Sequence, residues 1–144
     1  MQAFMVHKVK RYDLKGKKIL EYSEKYYPAD VGLRFGIAGY ADTDIAGILE
    51  TIVYQELLRR GYTVYIGQIG QLEIDFIAVK QEEKMYLQVA YLLDSEKTIE
   101  REFGNLMLVK DNFPKMVLSM DDIWGKSKEG IIRKNILDFL LEEE

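Results

Sequence analysis

Between residues 63 and 91 the sequence carries three strand-like runs, Thr63–Ile69, Glu73–Lys80 and Met85–Tyr91, separated by residues 70–72 and 81–84, in which Gly70-Gln71 and Gln81-Glu82-Glu83 read as the turns. Links this short close hairpins; a parallel crossover needs a dozen or more residues. The three runs are therefore expected to form an antiparallel meander. Ahead of them, Ile45, Ile48, Leu49, Ile52, Val53 and Leu57 recur at the spacing of one helix face. Asp42 or Thr43 can cap that helix, Asp44 suits the positive end of its dipole, and Gly61 stops it after Arg59-Arg60.

Behind the meander, Ile99, Phe103, Leu106 and Met107 predict a second amphipathic helix starting after Asp94-Ser95. Pro114 precedes an apolar strand over 116–120, a polar loop with Trp124 follows, and Ile131–Asn135 and Ile136–Leu141 read as a last strand and a closing helix. Helix, three strands, helix, strand is the order of an α/β fold around a mixed sheet. At the N-terminus, the turn Lys15–Lys18 between β-permissive stretches predicts a small hairpin. Tyr26-Tyr27-Pro28-Ala29-Asp30 is read as entering a short helix that ends near Phe35-Gly36. With Gly36, Gly39 and Tyr40 marking a connector, 1–40 reads as a hairpin element and 41–144 as the main domain.

Composition removes several chemistries. With no cysteine and a single histidine, His7, the chain has neither thiolate metal sites nor a multi-histidine centre, and a serine–histidine hydrolase is not expected. No apolar run approaches the ~20 residues of a spanning helix, and no signal-peptide pattern opens the chain, so a cytoplasmic location with no membrane partner is expected. The net charge of −4 is unevenly spread: residues 1–18 carry +5, leaving −9 elsewhere. Lys8, Lys10, Arg11, Lys17 and Lys18 are the candidate nucleic-acid contacts, because such a patch steers a phosphate backbone even on an acidic body.

Two acids face one way on the second run: in Glu73-Ile74-Asp75-Phe76 the alternation of a strand sets Glu73 and Asp75 on one face and Ile74 and Phe76 on the other. On the third run Tyr86, Gln88 and Ala90 share a face. Pairing of these runs brings Asp75 and Gln88 together, with Glu50 arriving from the helix. Glu56 interrupts the helix's apolar arc and is expected to meet an arginine or backbone donors. Tyr26-Tyr27, Tyr54 and Tyr91 read as core or interface residues, because the ten tyrosines are scattered along the sequence.

A helical acid, a strand acid and then a strand Glu-x-Lys resembles the pattern of the PD-(D/E)XK, or restriction-endonuclease-like, superfamily. Glu50 and Asp75 match its acids, while Gln88 stands where the second strand acid belongs and Ala90 where the lysine belongs. YYPADVGLR (26–34), LETIVYQELLRRGY (49–62), EIDFIAV (73–79), QVAYLL (88–93) and IEREFGNL (99–106) further resemble a C-terminal domain of unknown function carried by bacterial and archaeal AAA+-type ATPases. The resemblance implies a restriction-endonuclease-like sheet flanked by helices, preceded by a winged-helix-like hairpin. It also implies an upstream ATPase domain as partner and as the place where ATP binds, since this chain has no G-x-x-x-x-G-K-[ST] loop.

With Gln88 and Ala90 in those positions the resemblance implies a vestigial site: Glu50, Asp75 and Gln88 would hold Mg2+ or Mn2+ weakly, and no cofactor is expected in this chain. The resulting expectation is an accessory module, catalytically degenerate, that recognises nucleic acid or a protein partner. The alternatives are an active divalent-metal-dependent nuclease and a purely structural oligomerisation domain.

Overall fold

The computed structural model describes residues 6–32, 44–122 and 127–143. Expectations for Phe35, Gly36, Gly39, Tyr40, Asp42, Thr43 and Trp124, and with them the boundary near residue 40, lie outside the described residues. In chain order the elements are β1 (Val6–Asp13), β2 (Lys18–Pro28), α1 (Ile45–Arg59), β3 (Thr63–Ile69), β4 (Leu72–Lys80), β5 (Glu83–Val89), α2 (Glu96–Met107), β6 (Lys115–Ser119), β7 (Ser127–Lys128), β8 (Ile131–Asn135) and α3 (Ile136–Leu141). Among the described residues all eight strands join one mixed sheet in the order β2-β1-β3-β4-β5-β6-β8-β7, so the chain is mixed α/β.

The short links do what chain length dictates. β3, β4 and β5 are a meander, antiparallel throughout. The longer connection through α2 returns β6 parallel to β5, and β8 then lies parallel to β6. The N-terminal hairpin does not stand apart, because β1 pairs parallel with β3 through Arg11–Ile66, Tyr12–Gly67 and Asp13–Gln68. Tyr26, Tyr27 and Pro28 are the last residues of β2, held extended by their ladder to Val6, His7 and Lys8, and after Ala29-Asp30 the chain turns helical at Val31-Gly32, as read from sequence.

One core lies under α1 and α3, with Val53, Tyr54, Leu57, Phe76, Leu87, Ile136 and Phe139. The other lies under α2, with Ile74, Ile77, Tyr86, Phe103, Leu106 and Val117. α1 is rotated from its sequence-based face: Thr51 and Tyr54 are buried with Val53 and Leu57, whereas Ile45, Ile48 and Ile52 are only half-buried. The reason is aromatic. Tyr54 stacks on Tyr27 of the hairpin at 4.8 Å between ring centres and on Phe76 of β4 at 5.9 Å, a three-ring contact that joins hairpin, helix and sheet. Tyr26 and Tyr91, expected in the core or an interface, are 59% and 43% exposed. His7 is half-buried, edge-on to the Tyr54 ring.

Glu56 meets its expected partners. Its carboxylate accepts from Arg59 at 2.6 and 2.8 Å and from Arg60 at 2.8 Å. Buried Arg60 also donates to the Phe139 carbonyl and lies over that ring, so the pair fastens α1 to α3. The arginines, Arg59 foremost, outweigh burial and hold the Glu56 carboxyl at about 2, well below the usual carboxylate range. A depressed carboxyl stabilises the fold above its unfolded value, and this contribution fades as pH falls from about 4.5 to about 2. Glu56→Gln is expected to cost about 2 kcal/mol at pH 7, by leaving Arg60 short of a partner, and much less near pH 2. Urea unfolding at both pH values measures this; an unchanged midpoint at pH 7 would show that the pair does not fasten the helices.

Candidate functional site

The sheet opens between β4 and β5. Their ladder stops at Phe76–Leu87, and one residue earlier β4 carries an irregularity. Between Tyr65–Ile77 and Gly67–Ile74, β3 advances two residues while β4 advances three. Such a bulge re-aims the side chains around it. Ile74 and Phe76 therefore do not share a face, as strict alternation predicts; Ile74 enters the α2 core and Phe76 the α1 core. Gly67 permits the close approach, since a Cβ there would stand 3.0 Å from that of Ile74.

Where the ladder ends, side chains take over its hydrogen bonds. The backbone N–H of Asp75 donates to Oε1 of Gln88 at 2.8 Å, and that of Val89 donates to Oδ2 of Asp75 at 2.8 Å. This reciprocal pair satisfies the backbone at the split, as buried polar groups require, and sets Asp75 beside Gln88 as the sequence predicts. Ala90 opens no gap there. It is buried in the α2 core, and its N–H continues the sheet to the Leu118 carbonyl at 2.9 Å.

The amine among these acids comes from Lys25 on β2. Its Nζ lies 2.5 Å from Oε1 of Glu50 and 3.1 Å from Oε1 of Glu73. Arg11 of β1 reaches the other Glu73 oxygen at 2.7 Å, and the Tyr27 hydroxyl donates to Glu50. A second bulge aims these groups. From Val9–Lys25 to Arg11–Leu20, β1 advances two residues and β2 five. Ser23 sits in the bulge with φ 61°, and Arg11 Nε donates to its carbonyl at 2.5 Å. Arg11, a candidate nucleic-acid contact, is thus turned inward, and Lys8 pairs with Glu24 at 2.9 Å, while Lys10, Lys17 and Lys18 are exposed.

Sequence reasoning missed two members of the site. Lys25 was hidden because nothing local marks a strand lysine as inward-facing, although its spacing from buried Tyr27 by two residues puts both on one face. Glu102 sits on the apolar arc of α2 between Ile99 and Leu106, the same anomaly that marked Glu56. It is buried, takes two bonds from Arg101 at 2.8 and 3.0 Å, and adds its charge to Asp75. One turn along, Asn105 donates to the Glu73 carbonyl at 3.0 Å.

The electrostatics follow the partners. Burial and then the Glu50 charge push the Asp75 carboxyl up to about 8; Glu102 adds to this, while the Val89 N–H and Lys25 oppose it. Burial also acts to raise Glu73, but Arg11 and Lys25 outweigh it and hold that carboxyl low. Burial works against the Lys25 ammonium, yet Glu50 and Glu73 hold its pKa above the ordinary value. As a metal site the set fits poorly. Lys25 and Tyr27 hold Glu50, the Gln88 oxygen serves the Asp75 N–H, and among the described residues no three His, Cys, Asp or Glu side chains converge closely enough to hold an ion.

Folded protein binds the Asp75 proton more tightly than unfolded chain does, so ionisation of Asp75 erodes stability as pH rises from about 4 to about 8. Asp75→Asn cannot ionise and keeps an oxygen for Val89. It is expected to melt above the wild type at pH 8, with a smaller gain at pH 5; melting curves with equal or reversed differences would refute this.

No family model matches the chain, and no solved structure matches it. It is 40% identical over 140 residues to a protein of Haemophilus influenzae described as uncharacterized, an alignment covering 97% of this chain and 34% of that relative. The chain thus spans about a third of the length of the curated relative it matches.

Proposed function

We propose that this chain is the recognition module of a longer ATPase: a restriction-endonuclease-like domain whose acidic crevice holds structure together and does not cut. The element order supports the fold reading, because α1, the β3–β5 meander, α2 and parallel β6 follow one another as that superfamily's core would require. The size of the relative leaves room for an ATPase module outside the matched third.

The observation that carries the functional reading is internal neutralisation. Lys25, Arg11, Tyr27 and two backbone N–H groups already occupy Oε1 of Glu50, both oxygens of Glu73, Oδ2 of Asp75 and Oε1 of Gln88, the kind of oxygens a hard cation would need. A crevice wired in this way offers a phosphate few free groups.

Lys25 also favours a second reading, a divalent-metal-dependent nuclease. It supplies an amine close to Glu50 and Glu73, although position 90 is an alanine.

Incubation with Mg2+ or Mn2+ and single-stranded and duplex DNA and RNA separates the two. No cleavage above the buffer control is expected. Cleavage that disappears in Asp75→Ala would establish the nuclease and overturn the recognition reading.

A further inference from the structure

The face of the sheet opposite α1 is covered unevenly. α2 packs on β4, β5 and β6; of β3 only Ile69 is buried in that core, and Tyr12, Leu14 and Tyr65 lie half-buried at its margin. Strand alternation decides what is displayed there. His7, Val9 and Arg11 point to the α1 side, where His7 meets Tyr54 and Val9 is buried in the core, so Lys8, Lys10 and Tyr12 point the other way. Tyr26 is the cross-strand partner of Lys8 and follows them, since its neighbour Tyr27 points to the α1 core. Tyr65 pairs with Ile77 of the α2-side core, and Lys84 pairs with Val79, which packs on that core.

Aromatic rings and cations therefore alternate across the open face. Lys8 lies beside Tyr26, both bonded to Glu24, and Lys10 lies between that pair and Tyr12, which is four residues or ~13 Å from Lys8 along β1. Tyr12 and Tyr65 stand 6.2 Å apart between ring centres on neighbouring strands, tilted by 54°. The Lys84 ammonium lies 5.6 Å from the Tyr12 ring. Tyr12 and Tyr65, with Ile19, Ile77, Val79 and Lys84, line an open pocket of about 180 Å³. The rings that look scattered in sequence are thus gathered by the parallel pairing of β1 with β3.

We infer that this open face, built on Tyr12, Tyr26 and Tyr65 with Lys8, Lys10 and Lys84, binds single-stranded nucleic acid, with a base stacked at the Tyr12–Tyr65 cavity. The inference rests on the recognition reading and names its ligand class. Charge complementarity selects the occupant: the N-terminal stretch is basic on an otherwise acidic chain, and phosphates are the partners it attracts. Aromatic rings select single strands, because a duplex hides the base faces that stacking needs and an unpaired strand offers them. Lys8 already pairs with Glu24, so its phosphate contact competes with that bond, while exposed Lys10 carries more of the attraction.

The test is fluorescence anisotropy of the whole chain with a labelled oligo-dT strand, an oligo-U strand and a duplex of equal length, from 50 to 200 mM salt. Single strands are expected to bind more tightly than the duplex. Changing Lys8 and Lys10 together to Gln should weaken binding and lower the salt slope by ~1.4, from ~0.7 per phosphate contact. Tyr26→Ala removes an exposed ring and should weaken binding about five-fold or more at every salt concentration. Tyr65→Phe should keep the affinity that Tyr65→Leu loses, which separates a ring contact from a loss of core. Absence of binding at 50 mM salt by folded protein would overturn the inference, as would affinities unchanged in these variants. Binding lost in Asp75→Asn but kept in the face variants would move the ligand to the crevice, leaving recognition intact and this face excluded. A dimer seen by light scattering and broken by Tyr26→Ala would instead assign the face to a second copy and overturn the inference.

Discussion

Carboxylates from α1, β4 and α2 crowd the end of the sheet where β4 and β5 part, and the arrangement depends on two cations brought to them by the N-terminal hairpin. A carboxylate removed from water without a partner is costly enough to take up a proton or unfold its surroundings. Lys25 and Arg11 remove that cost for Glu50 and Glu73. Asp75 shows what happens without such a partner: among the described residues no cation bonds to it directly, and its proton is held up to about 8. The hairpin is thus an electrostatic component of the site as well as two more strands, and the Tyr27–Tyr54–Phe76 rings press it into place.

The same dependence explains why the bulges matter more than the regular ladders. A sheet with strict alternation from β1 to β5 would turn Arg11 and Lys25 to fixed faces but leave the β4–β5 ladder closed at Asp75. The β4 bulge opens the ladder, and the exchange between Asp75 and Gln88 then satisfies backbone groups that the opening exposes. Glutamine suits that exchange, since its oxygen accepts the Asp75 N–H without adding another charge to a crevice already rich in them. An acid at position 88 would accept the same bond but raise the repulsion felt by Asp75 and Glu50.

The order of elements was legible because it rests on periodicity and link length, which are local. Two-residue turns enforce the meander, and the apolar spacing of Ile99, Phe103 and Leu106 places α2. Faces were less legible. α1 turns Thr51 and Tyr54 inward because Tyr27 and Phe76, distant in sequence, offer rings to stack on. Ile74 and Phe76 part company because a bulge shifts their alternation, and no residue type in 73–77 announces it. The Asp75–Gln88 encounter was readable from strand pairing, while Lys25 was not, since it reaches the site through tertiary packing.

An acid inside an apolar arc was the most transferable signal, and it had two instances. At Glu56 it marked an ion pair that fastens two helices; at Glu102 it marked a carboxylate whose charge reaches Asp75 at the crevice. The difference lies in what stands opposite. Glu56 faces Arg60, one turn along the same helix and itself bonded to α3, so its charge is spent on packing. Glu102 bonds Arg101, which is exposed, and that pairing does not cancel its field at Asp75. Burial of an acid therefore identifies a point where structure has been spent. Whether a second, buried cation such as Arg60 also meets the acid decides whether the remaining field acts on a neighbour, and at Asp75 it does.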